Sequence, residues 1–198
     1  MMGLLATTEV RWFSQGIIPD DIQVWFNSLG TPAIQPIRTD IYFPQSNSGI
    51  GIKLRDGRLE IKVRRSRHAP KNFAPGVSGH VETWVKWGFR NSGEFRSGLP
   101  VEKSRRILYY QVTADGKVRM STPEIFPEKG GGVELTQVWF DGSPWWTLGI
   151  EVFGPRQQQM KVLGAIVDWV FRVDGAPALS SELSVSYSAW LAGVSLRP

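Results

Sequence analysis

The stretch GIGIKLRDGRLEIKVRRSR, residues 49–67, holds seven cations (Lys53, Arg55, Arg58, Lys62, Arg64, Arg65, Arg67) against two acids (Asp56, Glu60). Cations at that density either face water or converge on an anion, and they hold phosphate oxygens most strongly in a poorly solvated space. Lys103 and Arg105 stand two apart in KSRRILYYQVT, as do Glu9 and Arg11 in TTEVRWF. Carboxylates are interspersed: Glu82 in VETWVKWGF, Glu134 in VELTQVWF and Glu151 in WWTLGIEVFG. Carboxylate oxygens are the donors that hard divalent cations take. The chemistry open to this set is polyanion binding, with or without a metal ion.

Strands must position these groups. Side chains on a strand alternate between faces, so Glu60, Lys62 and Arg64 oppose Leu59, Ile61 and Val63, and Lys53 and Arg55 oppose Ile52 and Leu54. Glu82, Trp84 and Lys86 share one face, as do Lys103 and Arg105, and Glu134 and Thr136. Two arrangements satisfy this pattern. In one, the charged faces meet water and the apolar faces form a conventional core. In the other, the sheet closes with its charges inside and helices cover its apolar outside. Alternation alone does not separate them.

Along the chain, residues 7–13 read as a strand, and IPDDIQVWFNSLG as a helix that starts at Pro19 and Asp20 and stops at Gly30, with Ile22, Trp25, Phe26 and Leu29 at helical spacing. Strands follow at 38–43, 50–55 and 58–65, the last two joined by Asp56-Gly57, a hairpin signal. Residues 66–80 read as a loop. Further strands are expected at 81–89, 103–113, 117–122, 133–140 and 145–154, with a flexible turn at 127–132 and a hairpin at Asp141-Gly142. Residues 157–173 suit an amphipathic helix, and SELSVSYSAWL a final helical segment. The expected fold is α+β: an antiparallel barrel of about eight strands with flanking helices, in one domain over residues 1–198.

Composition narrows the function classes. With no cysteine and two histidines (His68, His80), disulfides, thiolate metal sites and a histidine-built zinc site are not expected. The opening MMGLLATTEVRW has no basic start and no long apolar run, so no signal peptide is read. No segment approaches the roughly 18 apolar residues of a spanning helix. A cytoplasmic location without a membrane partner is expected. A net charge of +5 and a pI near 9.7 favour anionic partners.

Taken in order, the motifs resemble the CYTH or triphosphate-tunnel family, which includes thiamine triphosphatases, inorganic and RNA triphosphatases and class IV adenylate cyclases. TTEVR followed by DDIQVWFNSLG is similar to the family's opening acidic strand and helix; Asp40-Ile41-Tyr42-Phe43 to its Asp-x-Tyr-Phe strand; IKLR and LEIK to its paired basic strands. VETWVKW resembles the middle strand, Lys103 and Arg105 the Lys-x-Arg strand, VELTQVWF and WTLGIEVFG the late pair, and SYSAWL the closing helix.

The resemblance implies a metal-dependent phosphohydrolase acting on tripolyphosphate or an organic triphosphate. It implies that Arg11, Arg55, Lys62, Lys103 and Arg105 bind phosphate, with Lys53, Arg64 and Lys86 as further candidates, while Arg58, Arg65 and Arg67 meet solvent. Glu9, Glu134 and Glu151 would hold Mg²⁺ or Mn²⁺, with Glu9 and Glu151 as the catalytic pair. Glu82, Trp84 and Lys86 would face the lumen, where Trp84 can stack on a base or a thiamine ring. The chain departs from the pattern in its acids, with Thr7, Thr136 and Gly149 standing where the family carries carboxylates. A non-catalytic module binding polyphosphate, a nucleotide or an RNA 5′ end is therefore the alternative, and a lipocalin-like carrier of an apolar ligand a third. Oligomeric state is left open.

Overall fold

A computed structural model describes residues 5–90, 97–122 and 128–195. The elements are β1 (Leu5–Gln15), α1 (Asp20–Ser28), β2 (Ala33–Ile34), β3 (Arg38–Tyr42), β4 (Ile50–Arg55), β5 (Arg58–Arg67), β6 (Lys71–Ala74), β7 (Val77–Gly79), β8 (Glu82–Arg90), β9 (Leu99–Val112), β10 (Val118–Ser121), β11 (Gly130–Phe140), β12 (Ser143–Phe153), α2 (Gln159–Phe171) and α3 (Tyr187–Ser195). The fold is α+β. Eight strands form an antiparallel ring in the order β9-β11-β12-β1-β8-β5-β4-β3, closed by pairing of β3 with β9. Strand β10 extends β9 outside the ring, and the β6–β7 hairpin stands apart.

Two Asp-Gly turns set the register of the hairpins that flank the site. Asp56 and Gly57 (φ 48° and 70°) join β4 to β5, and Asp141 and Gly142 (φ 49° and 70°) join β11 to β12. Positive φ at both central residues gives a turn whose twist matches the strands it joins. With register set, period-two alternation sends Lys53, Arg55, Glu60 and Lys62 inward and Ile52, Leu54, Leu59 and Ile61 outward.

The charged faces thus point into the ring. On one side, α1 and α2 cover the outer face. Ile22, Trp25 and Phe26 of α1 and Val162, Leu163, Ile166, Val167 and Val170 of α2 pack with Val10, Trp12, Leu135, Leu148 and Ile150 from the strands. The acids in the first turn of α1, Asp20 and Asp21, complement its dipole. On the opposite side, the outer residues of β4, β5 and β8 are half-buried and Phe89 is exposed. Helix α3 packs at one end of the ring, where Trp190 stacks on Phe13 with centroids 4.7 Å apart and meets Trp145 edge-on. Trp145 and Trp146 therefore part company, the first against α3 and the second in the outer core.

Three expectations change. Residues 66–80 are not a single loop: β5 runs on to Arg67 and a short hairpin, β6–β7, follows, docked through Val77 on Leu179. The Gly-rich stretch after Lys129 is strand, and Pro127 lies outside the described residues. A Cβ on Gly131 would come within 2.7 Å of the Glu151 carbonyl, so glycine serves close packing here where its composition suggested a turn. The final segment is broken, with a 3₁₀ turn at Ser181–Leu183, an extended stretch, then α3. In that stretch Ser184 bridges Trp12, and Val185 N–H donates to the Arg11 carbonyl, so β1 draws the chain out of helix. Among the described residues, no helix is long and apolar enough to cross a membrane.

Candidate functional site

Inside the ring lies a cavity of about 240 Å³. Eight cations from six strands line it: Arg11 (β1), Arg38 (β3), Lys53 and Arg55 (β4), Lys62 (β5), Lys86 (β8), Lys103 and Arg105 (β9). Four carboxylates, Glu9, Glu60, Glu134 and Glu151, share the lining, and a fifth, Asp40, is buried behind it.

Asp40 organises one wall. It is fully buried on the inner face of β3, and β3 pairs with both β4 and β9, so cations from both neighbours reach it. Its Oδ2 accepts from Lys53 Nζ at 3.0 Å, Lys103 Nζ at 3.3 Å and Arg55 Nη2 at 3.3 Å. Its Oδ1 accepts from Arg55 Nε at 3.2 Å, and Arg38 Nε lies 3.1 Å away without hydrogen-bonding geometry. Burial would raise the Asp40 pKa, but Lys53, Lys103 and Arg55 hold it well below the usual carboxylate range. Crowding has the opposite effect on the lysines. Burial and then Arg55 lower Lys53 to about 8, and burial and then Lys53 lower Lys103. Lys103 also donates to Tyr42 Oη at 2.6 Å and lies 3.7 Å from the ring centroid of Tyr187.

Glu60 carries the wall toward β8, pairing with Lys53 at 3.2 Å, Lys86 at 3.3 Å and Arg55 at 3.5 Å. Across the cavity, Glu134 is held by Arg11 Nη1 at 3.0 Å, by Arg105 through Nε at 2.9 Å and through Nη2, and by the Thr136 hydroxyl at 3.0 Å. Burial would raise Glu134; Arg105 and Arg11 lower it well below the usual range. Lys62 sits between two acids, with Nζ 2.9 Å from Glu9 Oε2 and 3.2 Å from Glu151 Oε1. Burial would lower Lys62, but Glu151 and Glu9 outweigh it and raise its pKa.

Most of the residues singled out in the sequence come together here: Glu9, Arg11, Arg55, Lys62, Trp84, Lys86, Lys103, Arg105, Glu134 and Glu151 all line the cavity. Glu82 does not. It opposes Glu9 on the adjacent strand, but its carboxylate turns to Arg64 at 2.8 Å and Arg67 at 3.4 Å beside the bulge in β5. That pairing also takes Arg64 out of the lining, whereas Arg58 and Arg65 are exposed. Trp84 is 2 % exposed, with Lys62 and Arg64 near its ring at 5.5 and 5.8 Å, so it offers no free face for a base to stack on.

Arg38, Asp40, Glu60 and Tyr187 were not assigned to the site from the sequence. Arg38 was legible, standing two residues before Asp40 and hence on the same face of the strand. Tyr187 carried no such signal, since its position depends on α3 packing at the end of the ring.

Three buried donors on residues that line the cavity have no hydrogen-bond partner in the protein: Tyr187 Oη, Trp84 Nε1 and Arg38 Nε. Unpaired buried donors are costly, and all three atoms are closed to solvent as they stand. For a divalent cation the acids divide. Glu134 is fully engaged by Arg11, Arg105 and Thr136, whereas Glu9 and Glu151 are cross-strand partners whose oxygens already converge on one positive charge, the Lys62 ammonium. Mg²⁺ keeps several waters and needs only one or two carboxylates. Glu9 and Glu151 therefore fit a single hard cation once Lys62 is displaced, while among the described residues no cluster of three or more ligating side chains forms. In sequence, the chain matches no family model and no curated protein.

Proposed function

We propose that this protein binds an inorganic oligophosphate, or the triphosphate end of a larger compound, in the ring cavity and hydrolyses it as a metal-dependent phosphohydrolase of the triphosphate-tunnel type. The observation that carries this reading is the imbalance of charge: eight cations face five carboxylates, counting Asp40, in and behind one cavity inside the ring. An excess of three positive charges in low-dielectric surroundings selects a compact polyanion. At about 240 Å³ the cavity is smaller than the roughly 300–1,000 Å³ of pockets for drug-sized ligands. It suits a phosphate chain, with any nucleoside, thiamine or RNA body left outside.

In this reading Arg38, Arg55, Lys103 and Arg105 grip phosphate oxygens. Glu9 and Glu151 would hold one Mg²⁺ or Mn²⁺, which would supply a Lewis acid to polarise the phosphoryl group. The excess cations neutralise the charge that develops on the leaving phosphate.

The test is phosphate release from tripolyphosphate and ATP with Mg²⁺ or Mn²⁺, beside tripolyphosphate affinity by calorimetry, for the wild type and Glu151→Gln. Metal-dependent turnover that collapses in Glu151→Gln with affinity retained supports the enzyme. The pairing of every lining carboxylate with a cation favours a second reading, metal-free polyanion binding without turnover. Tight binding with no release from any triphosphate would select it, and absence of binding would refute both.

A further inference from the structure

We infer that Lys62 is an internal counter-cation that keeps divalent metal off Glu9 and Glu151 until an anion draws it away, so that the site loads anion first and metal second. This rests on the oligophosphate reading for the identity of the anion, but the competition itself follows from the side chains.

Glu9 and Glu151 oppose each other directly across β1 and β12, both on the inner face. Two like charges in that relation repel unless a cation lies between them. The Lys62 ammonium lies there, 2.9 Å from one carboxylate and 3.2 Å from the other. A metal ion bridging the same oxygens would need the same space. Ammonium and metal are therefore mutually exclusive at this position, and the free protein binds metal only by breaking both ion pairs.

Lys62 is also suited to leave. A lysine stem has four rotatable carbons, and the Lys62 side chain is 27 % exposed, facing the cavity. Its neighbour across β5 and β8 is Lys86, also cationic and inward. A polyanion spanning the cavity would draw both ammoniums toward itself. Glu9 and Glu151 would then lose the one ammonium that pairs with both, and a divalent cation held by them would replace its charge. By linkage, each ligand raises the affinity for the other. The free protein is thereby protected from holding metal without substrate.

The test is Mn²⁺ binding to metal-free protein with no anion present, by calorimetry and by the electron paramagnetic resonance signal of free Mn²⁺. Lys62→Met should bind Mn²⁺ about tenfold or more tightly than wild type, because two adjacent carboxylates lose their resident charge. Lys86→Met removes the same charge from the same cavity but pairs with Glu60, so its gain should stay below about threefold. Adding Glu9→Gln to Lys62→Met should abolish the gain. Equal Mn²⁺ affinity in wild type and Lys62→Met, or an equal gain in Lys86→Met, overturns the inference. Lys62→Gln serves if circular dichroism shows Lys62→Met unfolded. Failure of the wild type to bind tripolyphosphate would strike the proposed function instead, since the Mn²⁺ comparison contains no phosphate.

Discussion

The guanidinium of Arg11 lies across Gly149 on its way to Glu134. Arg11 and Gly149 are paired residues on β1 and β12, and Gly149 in turn pairs with Glu134 on β11. Arg11 thus spans a whole strand, and a Cβ on Gly149 would sit 2.5 Å from its Cζ. The missing side chain at 149, read from the sequence as a lost acid, is what lets this ion pair form. An acid there could not coexist with the crossing.

Gly149→Ala should displace Arg11 and leave Glu134 with Arg105 as its one cation, beside the Thr136 hydroxyl. Arg11 is 7 % exposed, so the lost charge-assisted bond should cost about 1–3 kcal/mol. Urea denaturation reads this directly. A variant within about 0.5 kcal/mol of wild type would show that Arg11 contributes nothing by crossing.

Removing the charge of Asp40 should be more severe. Asp40→Asn leaves Lys53, Arg55, Lys103 and Arg38 without their shared counter-charge, and breaking a buried ion pair from one side typically costs about 3–5 kcal/mol. A bound anion can stand in for the lost carboxylate, so tripolyphosphate should raise the melting temperature of Asp40→Asn more than that of wild type. An equal or smaller rise would count against Asp40 as the organiser of that wall.

Arg38 should behave in the reverse way. Burial, and then repulsion from Arg55 and Arg105, lower its pKa, and its Nε makes no hydrogen bond. Arg38→Ala should therefore leave the melting temperature unchanged or raised while weakening tripolyphosphate binding by about tenfold, the value of one charge-assisted contact. Undiminished binding would remove Arg38 from the anion seat.

The anion affinity should fall as pH rises through about 8, where burial and Arg55 have brought Lys53. Below that pH the folded protein bears the cost of a charged, crowded lysine. Between about 8 and the ordinary value near 10.5 the unfolded chain binds more protons at this site, so Lys53's contribution to stability increases with pH over that window. A bound anion favours the ammonium, so binding above pH 8 takes up a proton. Sulfate is the right probe because its own charge stays constant, and calorimetry in buffers of different ionisation enthalpy counts the proton. A pH dependence unchanged in Lys53→Met would assign the effect elsewhere.

The alternation of LEIK, IKLR and VETWVKW, the Asp-Gly hairpins and the helical spacing of Ile22, Trp25 and Phe26 were legible in the chain because each is local. They depend on backbone geometry over a few residues, which neighbouring side chains dictate. From them the sequence by itself determined an antiparallel α+β fold with cations gathered on common strand faces. Which face points inward was not local, and it came from β3 closing on β9 and from α1 and α2 covering the opposite face. The pairing of charges was still less accessible. Arg11 with Glu134, Lys62 with Glu9 and Glu151, and Lys103 beneath Tyr187 join residues distant along the chain, and Coulomb interactions inside the ring depend on separation in space. Only the tertiary structure decided those partners, and with them where an anion or a metal ion can find room.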